Sequence, residues 1–371
     1  MSTIEKLLQT CITEPDALAR NWNLTEEEIR QLRAITDVYP IRIPKYYLDL
    51  IGPDWKSDPI RKLCFPDLME ISTSGQKDTS GEAENTKMTG LQHKYAQTAL
   101  ILTTNQCAMY CRHCFRKRMV GSDAREVALH MDGMKAYVEQ HKEIDNVLLS
   151  GGDALMLENA VMRQYLEAFS SIKHLHFIRI GTRIPVVLPD RILQDPELID
   201  LLKTYNRKKQ LIIVTHYNHS KEITEKSRQA VKILLEAGIP VRNQTVLLQG
   251  INDDPKTLSS LLNQLTSIGV MSYYIFQCRP AMGVMKQFQV PLRKGSHIVE
   301  QARAQMNGQA KACRYVLSHE SGKIEILGEW NQEEMLFKYH QSKYSKDANR
   351  IFAQRIKPDQ CWLNHTDDID A

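Results

Sequence analysis

The chain has 371 residues, 42% hydrophobic and 25% charged, and its 48 basic against 44 acidic side chains leave a net charge of +4. This near-average composition excludes a disordered, collagenous or coiled-coil chain, and no run of about 18 apolar residues is present to cross a bilayer. At about 150 residues per domain the length allows one large domain or two ordinary ones, and so balanced a charge points to neither nucleic acid nor membrane as partner.

The start, MSTIEKLLQTCITEPD, has neither a basic leader nor an apolar core, so a cytoplasmic protein is expected. Residues 1–90 read as a mostly helical accessory region. Helical stretches around IEKLLQTC and EEEIRQLRAIT lead into the Pro-punctuated YPIRIPKYYLDLIGPDW and then the polar run TSGQKDTSGEAENTK, a loop. Residues 91–330 form the core, where short β-branched or apolar runs recur at 99–105, 146–153, 176–183, 211–218, 241–250 and 272–280. Helical segments separate them. Asp195-Pro196 and Asp254-Pro255 suit an N-cap followed by Pro, and Gly238 and Gly269 suit helix C-termini. Six strands alternating with helices imply an α/β fold with a parallel sheet, either an incomplete (β/α) barrel or an open doubly wound sheet. Residues 315–328 resemble two strands around a turn, and 331–371 read as a C-terminal extension of mixed helix and polar coil.

Unusual residues gather at the C-terminal ends of the six runs, the edge at which parallel α/β folds carry their sites. Five of the eight cysteines, Cys11, Cys64, Cys278, Cys313 and Cys361, are scattered, but Cys107, Cys111 and Cys114 fall within eight residues. Three thiolates are one fewer than a closed zinc site or a fully ligated cluster requires. A 4Fe-4S cluster held this way would keep one iron open to an external ligand. A zinc ion would instead need His113 or a distant cysteine, and a purely structural role would leave three neighbouring thiols idle.

The segment CAMYCRHCFRKR, with its CxxxCxxC spacing, resembles that of radical S-adenosylmethionine (SAM) enzymes, and its YCRHC-x-RKR form is similar to the lysine 2,3-aminomutase family. The likeness continues through LLSGGDALML, RIGTRIPVVLPDRI, THYNHSKEIT and NQTVLLQGINDD, covering roughly residues 35–330. It implies a partial (β/α)6 TIM-like barrel and a 4Fe-4S cluster on Cys107, Cys111 and Cys114, whose open iron is chelated by SAM. An electron from a flavodoxin- or ferredoxin-type reductant would cleave SAM to a 5′-deoxyadenosyl radical, which abstracts hydrogen for a 1,2-amino shift on a small amino acid. The resemblance places Ser150, Gly151, Gly152 and Asp153 at the methionine end of SAM, with Arg183, His216 and Gln244 around it. Arg116 would grip the substrate carboxylate, a task suited to a planar bidentate donor. It further implies pyridoxal phosphate (PLP), with Lys323 as Schiff-base lysine and Tyr95 stacking on the ring, and a homo-oligomer.

The chain departs from the family pattern at four places. Where an arginine is expected to meet the PLP phosphate stands Thr98, and the Pro-Gly-rich run before the lysine reads SHES ahead of Gly322. Both count against PLP. Arg279 stands where the lysine-specific enzyme has an aspartate for the distal ammonium, so free lysine is not the expected substrate, and a carboxylate or neutral side chain suits the site better. Asp254 replaces a zinc-binding cysteine after the G-x-N-D turn, so no structural zinc is expected. The alternative keeps the cluster and SAM without PLP, acting on a small acid, a peptide or another amine-bearing molecule. A zinc-dependent nucleic-acid module is disfavoured by the charge balance and the missing fourth thiol.

Overall fold

The structure is a computed structural model and describes residues 2–122, 126–128 and 130–363. Its N-terminal part is helical: Thr3–Leu8, Pro15–Trp22 and Glu26–Val38. The first and third begin in capping boxes, Ser2 with Glu5 and Thr25 with Glu28, which satisfy backbone N–H groups that a helix start leaves open. Two short strands, β1 (Cys11–Ile12) and β2 (Ile43–Pro44), pair antiparallel within this part.

A twelve-stranded sheet follows. Its strands are β3 (Thr86–Met88), β4 (Leu91–Tyr95), β5 (Thr98–Thr104), β6 (Asn146–Gly151), β7 (Phe177–Gly181), β8 (Gln210–Thr215), β9 (Val241–Leu247), β10 (Met271–Gln277), β11 (Arg314–His319), β12 (Gly322–Glu329), β13 (Glu334–Ser342) and β14 (Ile351–Arg355), and they lie in sequence order. From β5 to β11 every neighbour is parallel, whereas β3 and β4 at one flank and β12 to β14 at the other are antiparallel. The strand order is linear, so the parallel strands form the wall of an incomplete barrel with helices on its outside. The helices outside it are capped as their sequences predict. Asp195 accepts from the Leu198 N–H at 3.0 Å, Asp254 accepts from the Thr257 N–H at 2.9 Å, and Gly238 and Gly269 take φ of 75° and 79° just beyond their helices.

Strand periodicity makes the site. On β9 Val241, Asn243, Thr245 and Leu247 are buried behind the sheet while Arg242, Gln244 and Val246 face the barrel interior. The same alternation brings Thr98 and Leu100, Asn146, Leu148 and Ser150, Phe177, Arg179 and Gly181, and Ile212 and Val214 to one lumen.

Two readings change. Residues 331–363 are not helix and coil, because Met335, Phe337 and Tyr339 alternate inward on β13 and extend the sheet past residue 330. Residues 364–371 of that extension lie outside the described residues. The polar run read as a loop contains a helical turn, Glu82–Asn85, and β3, so the sheet begins before residue 91.

Candidate active site

The cysteine loop follows β5 and is moored from below by the N-terminal part. Arg112, 1% exposed, donates from Nε to Glu70 Oε1 at 2.9 Å and from Nη1 to the Pro40 carbonyl at 3.1 Å, and Lys117 Nζ lies 2.8 Å from the same Glu70 carboxylate. Burial works against the Glu70 charge, but Lys117 and Arg112 outweigh it and hold the carboxyl below the ordinary range. Backbone bonds from Tyr110 N–H to Arg42 and from Arg112 N–H to Leu63, at 3.1 and 3.0 Å, complete the mooring.

Cys107, Cys111 and Cys114 are all unpaired and partly exposed. Burial pushes the Cys107 thiol well above its ordinary value and the Cys114 thiol to about 11, while Cys111 Sγ accepts from Arg183 Nη1 at 2.6 Å. Among the described residues no three His, Cys, Asp or Glu side chains converge as a single metal ion would need. A cubane cluster asks for something different, one thiolate on each of three separate irons.

The residues of SGGD divide by role. Gly152 N–H donates to the Thr104 carbonyl at 2.5 Å and Asp153 N–H to Gln106 at 2.8 Å. A Cβ on Gly151 would lie 2.3 Å from Thr104 O and one on Gly152 2.2 Å from Gln106 O, so both glycines exist to let β6 press on the root of the cysteine loop. The Asp153 carboxylate accepts the backbone N–H groups of Leu155 and Arg183 at 3.0 and 2.6 Å, and burial raises its pKa. Of the four residues only Ser150 lines the lumen. Arg183 likewise works behind the wall, donating to the His216 carbonyl at 2.9 Å and to Glu222 at 2.5 Å.

The lumen itself is a cavity of about 720 Å³ that brings together Tyr95, Arg116, Ser150, His216, Gln244, Arg279 and Lys323. His216 is driven to about 4 by burial and by Arg183, so it is neutral at pH 7. Gln244 donates to the Tyr273 hydroxyl. Arg116 is aimed by Glu82, whose Oε1 accepts from its Nε at 2.7 Å, which leaves the guanidinium tips toward Ser150 and the cavity. Arg279 lies 4.3 Å over the Phe115 ring and donates to the hydroxyls of Ser80 and, at 2.7 Å, Ser318. Among the described residues no carboxylate pairs with it, and burial lowers its pKa to about 10. Lys323 Nζ sits 4.6 Å from the Tyr95 ring centre, donates to Gln341 Oε1 at 2.7 Å, and is depressed to about 7 by burial with Arg179 and Arg279 nearby.

Sequence reasoning missed three contributors. Glu82 and Ser80 lay in the supposed loop, and Arg179 opens the run RIGTRIPVVLPDRI but was given no role there. His113 was weighed only as a zinc ligand, yet it lines the cavity with its Nδ1 buried and lacking a hydrogen-bond partner, and burial keeps it neutral. Its place inside the cysteine motif was the available signal.

Comparison with known proteins agrees with this geometry. Residues 101–261 match the model of the radical SAM superfamily. Over 343 residues, 92% of this chain and 91% of the relative, the sequence is 40% identical to the putative L-lysine 2,3-aminomutase of Aquifex aeolicus. The chain belongs to the lysine 2,3-aminomutase family of radical SAM enzymes. Other members of that family include the L-lysine 2,3-aminomutase of Acetoanaerobium sticklandii, 39% identical over 77% of this chain and 68% of its own. The glutamate 2,3-aminomutase of Clostridioides difficile is 35% identical over 82% of this chain and 71% of its own. Membership makes the protein an aminomutase-like enzyme that uses a 4Fe-4S cluster, SAM and a reductant on a small molecule. No helix among the described residues is long and apolar enough to cross a membrane.

Proposed function

We propose that the enzyme performs a PLP-assisted 1,2-amino shift on an α-amino acid whose side chain carries a carboxylate. The observation that carries this reading is Arg279, a half-buried guanidinium facing the cavity whose hydrogen bonds go to hydroxyls and which forms no ion pair among the described residues, although the Glu82 charge acts on it. A cation so placed repels an ammonium and favours a second carboxylate, a discrimination worth several kcal/mol, roughly 2–5, when one partner of a buried charge pair is wrong.

In this reading Cys107, Cys111 and Cys114 ligate the cluster, and Ser150, His216 and Gln244 contact SAM from the lumen wall. Gly151, Gly152, Asp153 and Arg183 fix the backbone that borders it. Arg116, pre-aimed by Glu82, holds the substrate α-carboxylate. PLP supplies an electron-delocalising ring that tolerates an unpaired electron next to the migrating nitrogen. The residues present fit it: Lys323 is half-buried, half neutral near pH 7, and its Nζ lies 4.6 Å from the centre of the Tyr95 ring, an aromatic surface beside the amine. The barrel wall excludes water from a reactive intermediate.

The test is an anaerobic assay of reconstituted protein with SAM, PLP and reductant, following β-amino acid formation from L-glutamate, L-aspartate and L-lysine. A dicarboxylic amino acid is expected to give the highest kcat/KM. Preferred conversion of L-lysine would overturn the substrate assignment, and a product formed equally well without PLP would overturn the cofactor assignment.

A further inference from the structure

Two guanidinium groups of the cavity rest on one ring. The guanidinium carbon of Arg279 lies 4.3 Å from the ring centre of Phe115, and that of Arg116 lies 4.8 Å from the same centre. Their separation therefore cannot exceed those two distances taken together. Like charges held so closely repel, and the Arg116 charge is among those that lower the Arg279 pKa. The face of an aromatic ring is the negative pole of its quadrupole, so Phe115, itself in the cavity wall, attracts both cations and offsets part of that repulsion.

The two arginines are otherwise held unequally. Arg116 has the Glu82 carboxylate 2.7 Å from its Nε and keeps its direction without the ring. Arg279 reaches only hydroxyls, those of Thr79, Ser80 and Ser318, and the charge that acts on it most strongly is again Glu82. Among the described residues, these neutral contacts and the Phe115 ring are what keep Arg279 from relaxing toward that carboxylate. An Arg279 neutralised by Glu82 would no longer select a substrate carboxylate. Phe115 occupies the position that the YCRHC-x-RKR form leaves open, so the motif itself does not dictate a ring there.

We propose that Phe115 is the positioning residue behind substrate selection: its ring holds Arg279 apart from Glu82 and beside Arg116, so that a second carboxylate of the substrate pairs with Arg279. The inference rests on the dicarboxylic reading above.

The test uses the reconstituted holoenzyme and compares kcat/KM for each acid with its amide, L-glutamate with L-glutamine and L-aspartate with L-asparagine. It covers wild type, Phe115→Leu, Phe115→Met and Phe115→Tyr, with iron and sulfide per chain measured for each. Wild type is expected to prefer the acid. Phe115→Leu, apolar but without a π face, should lower the acid-to-amide ratio about 5- to 30-fold, the scale of one desolvated cation–π contact, chiefly through the KM of the acid. Phe115→Tyr, which restores the ring, should keep the ratio within about twofold of wild type. If Phe115→Leu takes up no cluster, Phe115→Met carries the comparison, and failure of both to take up iron assigns the ring to the cysteine loop and overturns the proposal. An unchanged ratio in the ring-less variants, acid and amide falling in proportion, or a Phe115→Tyr enzyme as unselective as Phe115→Leu also overturns it. A wild type without preference for the acid overturns instead the dicarboxylic reading on which it stands.

Discussion

At the residue scale the cavity is governed by buried nitrogen bases whose protonation burial has shifted. Lys323 is depressed to about 7, so between about pH 7 and its ordinary value near 10.4 the unfolded chain binds a proton that the folded chain does not. Stability from this group therefore rises with pH across that window. Thermal melts of wild type against Lys323→Met should show the wild type gaining relative stability from pH 7 to 10, and parallel curves would contradict the assignment. Arg279→Gln leaves the fold its neutral partners but removes the cation. It should raise the KM for a dicarboxylic amino acid about 10- to 100-fold, the scale of one charge-assisted contact, with a smaller change in kcat. Arg279, Lys323 and the three cysteines could be picked from the sequence because their neighbours form motifs. Ser80 could not, since what brings it to the cavity is its contact with Arg279, far away in sequence.

At the element scale the cysteine loop depends on parts distant in sequence. Glu70, in the short helical turn Leu68–Ile71, is the carboxylate against which both Arg112 and Lys117 rest. Glu70→Leu would strand two buried cations and should cost about 3–5 kcal/mol in chemical denaturation, together with loss of cluster uptake measured as iron and sulfide per chain. Gly152→Ala places a methyl group 2.2 Å from Gln106 O and must push the loop off β6. It should lower iron incorporation severely while the far-ultraviolet circular dichroism stays that of the wild type. The strands and capped helices of the barrel were legible because period-two and period-3.6 patterns repeat with Asp-Pro starts and Gly ends. The run around residues 73–87 was not, because its polar residues satisfy partners inside the cavity wall rather than water, and composition alone does not distinguish these.

At the scale of the whole molecule the antiparallel flank completes what the parallel strands leave open. β13 supplies Gln341 to Lys323 and buries Phe337 and Tyr339, and the tail beyond it reaches back so that Gln277 Nε2 donates to the Cys361 carbonyl at 2.9 Å. Truncation after residue 331 should therefore give insoluble protein or a melting transition of reduced cooperativity, since it bares the β12 edge and unseals the lumen. The sequence pattern pointed to helix and coil here because β13 and β14 follow the polar run after β12 and their outer faces mix polar and charged side chains such as Glu334, Lys338 and Arg355. Only their pairing with β12 shows them to be sheet.

The segment from Gln76 to Glu82 closes the barrel's open side: Gln76 pairs with the backbone of Pro280 and Met282, Ser80 meets Arg279, and Glu82 meets Arg116 and Arg118. Partners of both cavity-facing arginines thus sit two residues apart on one stretch of chain that belongs to neither the parallel strands nor their helices. On the proposed roles of Arg116 and Arg279, substrate preference in this scaffold is a cassette. Exchanging that stretch between relatives would re-aim two guanidinium groups at once while leaving the cluster loop and the SAM wall as they are.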